Sequence, residues 1–282
     1  MNKTSIEWVK NPDGTQGYTW NPITGCLNGC PYCYARKLAN GRLKDKYLAN
    51  PNISPVQTES PGYYTSKLVD TLDPFYPRFW EDRLMAGDAF LKSTKKALGI
   101  FPCDMSDWCG IGIPESWSNR IIEMARRYPQ HRFYLLTKQP QNLIKWSPFP
   151  DNCQVGVTVC NDKMLDVAVD KLEDIQAQTK FISFEPLLHR LTLSLDYALY
   201  YSGISWLIIG AQTKPYKPPE ISWVQEIVRA ADKAGIPVFL KDNLKPLLEN
   251  EPLNTLYWAN VSNDERGHER VDDELRQEIP EC

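Results

Sequence analysis

The chain has 282 residues, 42% of them hydrophobic, and 32 basic against 35 acidic side chains give it a formal net charge of −3. That is enough for a sizeable core, and the near balance of charge excludes a global drive towards nucleic acid or an anionic membrane, though not a local basic patch. No run reaches the roughly 18 apolar residues of a bilayer span and residues 1–8 lack an apolar signal core, so a cytoplasmic protein is expected, its eight cysteines reduced or metal-bound rather than paired.

A first strand is expected near residues 17–24, followed by a loop with three cysteines and a helix starting near Tyr34. That helix carries a basic stretch: Arg36, Lys37, Arg42, Lys44 and Lys46. With Tyr32, Tyr34 and Tyr47 it suits either a nucleic acid backbone or, more commonly, a solvated helix face. Residues 49–83 are rich in Pro, Tyr and Asn and read as an irregular insertion. From residue 97 onward strand-length apolar runs recur at 97–102, 132–136, 154–159, 180–184, 205–209 and 236–240. Between them lie amphipathic stretches at 114–127, 162–176 and 222–234, with Asp162 a candidate N-cap and Gly235 a stop. This rhythm predicts an α/β fold: a full or partial (β/α) TIM-type barrel of about six to seven parallel strands, with an open doubly wound sheet as the alternative. Residues 1–250 would form that domain. Residues 251–282 read as a polar, acidic tail, either a final helix or unstructured chain.

In both architectures chemistry gathers at the C-terminal ends of the strands. There stand Asp104 and Asp107, Thr137 and Lys138, Thr158 and Asn161, Glu185, Gln212, and Lys241. Glu185 follows an apolar run, where packing gives a carboxylate no reason to be, so it is expected to face a bound cofactor or substrate. Lys138 and Lys241 suit a carboxylate or phosphate, or plain solvent. Cys160 reads as a buried thiol that packs like a small hydrophobe.

The most specific segment is Trp20-Asn21-Pro22-Ile23-Thr24-Gly25-Cys26-Leu27-Asn28-Gly29-Cys30-Pro31-Tyr32-Cys33. Its spacing is Cys-x3-Cys-x2-Cys. A structural zinc site is normally closed by four ligands, and no fourth Cys or His lies near. An electron-transfer 4Fe–4S cluster also uses four cysteines. Three thiolates on a cubane leave one iron free to bind something else. The alternative is a zinc loop with a distant fourth ligand, Cys103 or Cys109.

Cys-x3-Cys-x-aromatic-Cys resembles the signature of the radical S-adenosylmethionine (SAM) superfamily. The wider Trp-Asn-Pro-x-Thr-Gly-Cys segment is similar to the phage Gp37/Gp68-like (DUF5131) family. So are Met105-Ser106-Asp107, Leu136-Thr137-Lys138, Gly156-Val157-Thr158-Val159, Ser183-Phe184-Glu185-Pro186-Leu187-Leu188 and Val238-Phe239-Leu240-Lys241. These matches run from Trp8 to about Lys245. The loop alone also resembles that of spore photoproduct lyase. The resemblance implies a 4Fe–4S cluster on Cys26, Cys30 and Cys33, SAM bound to the open iron, and Tyr32 packed near the adenine. It also implies an external electron donor, and a substrate the sequence does not choose, nucleic acid among the candidates. The superfamily's Gly-Gly-Glu-like element for the SAM amine is missing, and Asp104 or Asp107 would stand in for it, unless they serve as a helix cap or turn. Thr158 is expected on the SAM ribose. Cys160 replaces a Glu of the family pattern. Catalytic residues are not assigned. The competing reading is a zinc-stabilised nucleic-acid-binding protein without catalysis.

Overall fold

The computed structural model describes residues 1–55, 72–193, 195–248, 259–263 and 269–280. The part of the expected insertion at 56–71, and residues 251–258, 264–268 and 281–282 of the expected tail, lie outside the described residues.

The main sheet is built from β1 (Asn2–Lys3), β2 (Tyr18–Trp20), β5 (Gly99–Pro102), β6 (Arg132–Thr137), β7 (Cys153–Thr158), β8 (Thr179–Phe184), β9 (Trp206–Ile209) and β12 (Val238–Leu240). Its order is β1-β2-β5-β6-β7-β8-β9-β12. The β2/β5, β5/β6, β8/β9 and β9/β12 pairs are parallel, and β1 is antiparallel to β2. Spatial order follows chain order with no reversal, so the sheet lacks the switch point of a doubly wound fold. The α-helices are α1 (Tyr34–Asn40), α2 (Lys44–Leu48), α3 (Glu81–Ser93), α4 (Glu115–Arg127), α5 (Asp162–Glu173), α6 (Leu195–Tyr201), α7 (Ile221–Ala234) and α8 (Lys245–Leu248), and β10 (Gln212–Thr213) pairs antiparallel with β11 (Tyr216–Lys217) apart from the main sheet. No described helix is long and apolar enough to cross a membrane.

The periodic segments fold as their patterns require. Helix α4 buries Ile121, Ile122 and Met124, and α7 buries Val224, Ile227 and Val228 before Gly235 closes it at φ 66°. Helix α5 is capped by Asn161, whose side chain accepts from the Met164 N–H at 3.0 Å, one residue earlier than expected. Asp162 instead accepts from the backbone and hydroxyl of Thr192.

Four segments depart from the sequence reading. The first expected strand divides after Trp20, because Pro22 cannot donate to a ladder and holds Asn21 extended. Strand β3 (Ile23–Thr24) then pairs antiparallel with β4 (Arg78–Phe79), inside the stretch expected to be an irregular insertion. Helix α3 was not expected: it buries Leu84, Gly87 and Leu91 while leaving Met85 exposed, so its apolar stripe is blurred. In the tail, β13 (Ala259–Asn263) and β14 (Glu269–Leu275) pair antiparallel, in place of a helix or unstructured chain.

Two compact units divide the chain: Met1–Val155 with Gln176–Gln178, and Gly156–Ile175 with Thr179–Cys282. The first is centred on aromatic packing, with Trp8 5.0 Å from Phe101 and Trp108 4.9 Å from Trp146 between ring centroids. In the second, Trp206 lies 5.3 Å from Phe181 and 6.4 Å, edge-on, from Phe239.

Candidate active site

In the first unit the three-cysteine loop is fixed at both ends. Gly25 has φ +86°, and a Cβ there would stand 2.5 Å from the Tyr76 carbonyl oxygen, so only glycine fits. Its N–H donates to the Met105 carbonyl at 3.0 Å, and its own carbonyl accepts from Ser106 Oγ at 2.5 Å. The Cys26 N–H donates to the Phe75 carbonyl at 3.0 Å. At the far end Cys33 caps α1, its Sγ accepting from the Arg36 N–H at 3.3 Å. Cys26 Sγ accepts from the Asn28 N–H at 3.4 Å. Cys26 and Cys33 rest on an apolar cluster of Ala35, Ala39, Tyr47, Phe75, Trp80 and Met105.

Arg36 belongs to the loop rather than to a basic surface. Its guanidinium lies over the Phe75 ring and donates to the Cys26 carbonyl at 3.2 Å and to Asp73 at 3.5 Å. Arg42, Lys44 and Lys46 are exposed.

The two aspartates after β5 do different work. Asp107 is buried and accepts three hydrogen bonds: from Thr137 Oγ1 at 2.7 Å, the Lys138 N–H at 2.9 Å and Asn28 Nδ2 at 2.9 Å. Gln139 Nε2 donates to the other end of the Asn28 amide, also at 2.9 Å. The cysteine loop is thereby tied to the end of β6. Asp104 accepts from Asn21 Nδ2, and Tyr34 Oη reaches its carbonyl at 2.6 Å and its carboxylate at 3.4 Å. Burial raises the Asp104 pKa above the usual carboxylate range, against the opposing pull of Asn21 and Tyr34. Burial, and secondarily the negative charge of Asp107, push the Cys26 thiol up to about 12. A metal cation in the proton's place would stabilise the thiolate at this buried position.

In the second unit Thr158 ends β7 with 1% of its surface exposed. Glu185 follows β8 and pairs with the ammonium of Lys241, which follows β12 and is itself 8% exposed. The pair fits because position 210 is glycine: a Cβ there would meet Lys241 Cδ at 2.9 Å and Glu185 Cγ at 3.3 Å. Asn243 closes this corner, bonding both the N–H and the carbonyl of Ala211. Ser183, on the same face of β8 as Glu185 by strand alternation, buries a hydroxyl with no hydrogen-bond partner among the described residues.

A family model described as "Protein of unknown function (DUF5131)" matches residues 3–277. The chain belongs to that family. No curated protein matches this DUF5131 chain in sequence. Among solved structures it is similar to a spore photoproduct lyase complexed with a dinucleoside spore photoproduct, at 11% identity and TM-score 0.45, over 89% of this chain and 67% of that one. A doubly substituted variant of the lyase, with bound AdoMet and dinucleoside spore photoproduct, gives 11% identity and TM-score 0.42 over 90% and 68%.

The donor set bears on which metal group this DUF5131 loop suits. Among the described residues no group of three or more His, Cys, Asp and Glu converges to hold a single ion. A cubane asks less convergence, because each thiolate binds a different iron. Three thiols on one loop, two of them accepting N–H···S bonds and two backed by apolar side chains, are donors of the kind a 4Fe–4S cluster takes. Asn28, Gln139 and Asn21 were not singled out from the sequence. Their only sequence signal is position, Asn28 between two cysteines and Asn21 before Pro22.

Proposed function

We propose that this protein is a radical SAM enzyme in which Cys26, Cys30 and Cys33 hold a 4Fe–4S cluster and an external donor supplies the electron. The observation that carries the reading is the loop itself: three thiols at Cys-x3-Cys-x2-Cys spacing, with N–H···S bonds already directed at Cys26 and Cys33. When bound, such a cluster and its SAM supply reductive cleavage of a carbon–sulfur bond and a radical able to abstract hydrogen. The chain's own residues bind and orient. Asp104 is the better acceptor for the SAM ammonium, because burial raises its pKa and a cation would relieve that cost. Asp107 already accepts three hydrogen bonds and braces the loop instead. Tyr32 lies on the loop for the adenine, and Thr158 and Glu185 end their strands for the rest of SAM or the substrate. The chain-ordered sheet is read as a partial (β/α) barrel. Oligonucleotides are the first substrates to screen.

Anaerobic reconstitution tests the reading. Wild-type protein should bind about four irons and four sulfides, absorb broadly near ~400 nm as iron–sulfur proteins do, and release methionine and 5′-deoxyadenosine from SAM with dithionite. Ala at Cys26, Cys30 or Cys33 should abolish all three, while Ala at Cys103, Cys109 or Cys153 should spare the cluster. A colourless protein that takes up zinc would establish the binding-protein reading instead.

A further inference from the structure

Asn28, in the middle of the cysteine loop, has both ends of its side-chain amide hydrogen-bonded. Its amide nitrogen donates to Asp107 and its amide oxygen accepts from Gln139, both at 2.9 Å, so both ends are fixed by residues outside the loop. Asp107 is itself fixed by Thr137 and Lys138. The backbone N–H of Asn28 points at Cys26 Sγ, 3.4 Å away. Hydrogen bonds from the end of β6 thus fix the Asn28 side chain, and the Asn28 backbone N–H carries that anchorage to one sulfur. It brings that sulfur two opposed influences. The N–H withdraws electron density from the thiolate, and the buried carboxylate of Asp107 adds negative charge nearby. Hydrogen bonds to ligand sulfurs and local charge are the terms that set a cluster's potential.

We infer that Asn28, Gln139 and Asp107 are positioning residues that tune the reduction potential of the cluster through Cys26: the braced Asn28 N–H raises it and the Asp107 carboxylate lowers it. This rests on the cluster reading above. The two variants that probe it therefore move the potential in opposite directions, which general loosening of the loop does not do. Asp107→Asn removes the charge and should make the midpoint more positive. Asn28→Ala keeps the backbone N–H but releases the brace that aims it, and should make the midpoint more negative. Gln139→Ala releases half of the brace and should shift it the same way by less.

The experiment is a redox titration of the reconstituted holoproteins, followed by visible absorption and electron paramagnetic resonance, with iron counted in each. At the wild-type midpoint, Asp107→Asn should be at least threefold more reduced than oxidised, and Asn28→Ala at least threefold the reverse. That is about 28 mV each way for a one-electron couple. Midpoints unchanged with iron content intact, or both displaced in the same direction, would overturn the inference. If either variant fails to hold a cluster, Gln139→Ala decides: a negative shift supports the brace and no shift overturns it. Wild-type protein that assembles no cluster would sink the proposed function before any variant is compared.

Discussion

Asp104 and Asp107 lie three residues apart in sequence and have the same chemistry, yet their surroundings separate them. Asp107 has three donors at 2.7–2.9 Å, so both of its carboxylate oxygens are hydrogen-bonded. Asp104 is raised by burial, so it is the one that costs stability when ionised. Because its folded pKa lies above its unfolded value, the folded state holds the extra proton between the two. Stability therefore falls as pH rises from the ordinary carboxylate value through the raised one, and the cost is fully present above it. Asp104→Asn removes that cost while its amide oxygen still accepts from Asn21. Its melting temperature at neutral pH should equal or exceed that of wild type, and the low-pH gain in stability should flatten. SAM affinity should fall by about ten- to a hundredfold, the worth of a hydrogen bond to a charged group. Calorimetry across pH and SAM titration check the two halves, and a variant that melts lower at neutral pH while binding SAM normally would remove Asp104 from the site.

At the scale of elements, caps and loop anchors explain residues that sequence alone leaves ambiguous. Asn161 stands beside the end of β7, where a polar residue suits a ribose, but its side chain caps α5 through the Met164 N–H. Asn161→Ala should cost about 1 kcal/mol, within the range for lost N-caps, and leave iron content and SAM binding unchanged. A denaturant melt and an iron assay check it, and a loss of SAM binding at full stability would return the residue to the ligand. Arg36 likewise looks like part of a basic face and is spent on the Cys26 carbonyl and Asp73. The strands and the α4 and α7 helices were legible from apolar period, because one-sided burial leaves a trace in the sequence. Helix α3 left little trace: its glycine lies against the Trp20 indole, and a Cβ there would stand 2.5 Å from Nε1. A close approach of that kind replaces the apolar side chain a pattern search looks for.

At the scale of the whole molecule, the sheet brings together residues that are far apart in sequence. Glu185 and Lys241 are separated by 56 positions and meet after β8 and β12, with Gly210 after β9 leaving them room. Removing one partner of a largely buried pair leaves a charge uncompensated, whereas replacing both with apolar or neutral groups is often nearly neutral. Lys241→Met should destabilise by about 2 kcal/mol, below the ~3–5 of a fully buried pair because Glu185 keeps a quarter of its side chain in solvent. Adding Glu185→Gln should recover at least half of that loss. A double-mutant cycle on unfolding free energies checks this, and additive losses would show that the two do not act as a pair.

The strand–helix rhythm, the chain positions of seven sheet strands, and the three thiols with no fourth nearby are all legible in the chain read alone. These are local: period, spacing and the identity of a donor survive in one dimension. The sequence also placed the polar residues after each strand, since a strand's end follows from its apolar run. Which neighbours those residues meet follows from the fold. Asp107 became a brace because Asn28, Thr137 and Lys138 converge on it from three segments. Lys241 and Glu185 became partners because strand order sets β12 and β8 on either side of β9. A hydrogen bond or ion pair depends on distance and direction between residues remote in the chain, and those are fixed by the packing of the sheet, which no single segment encodes.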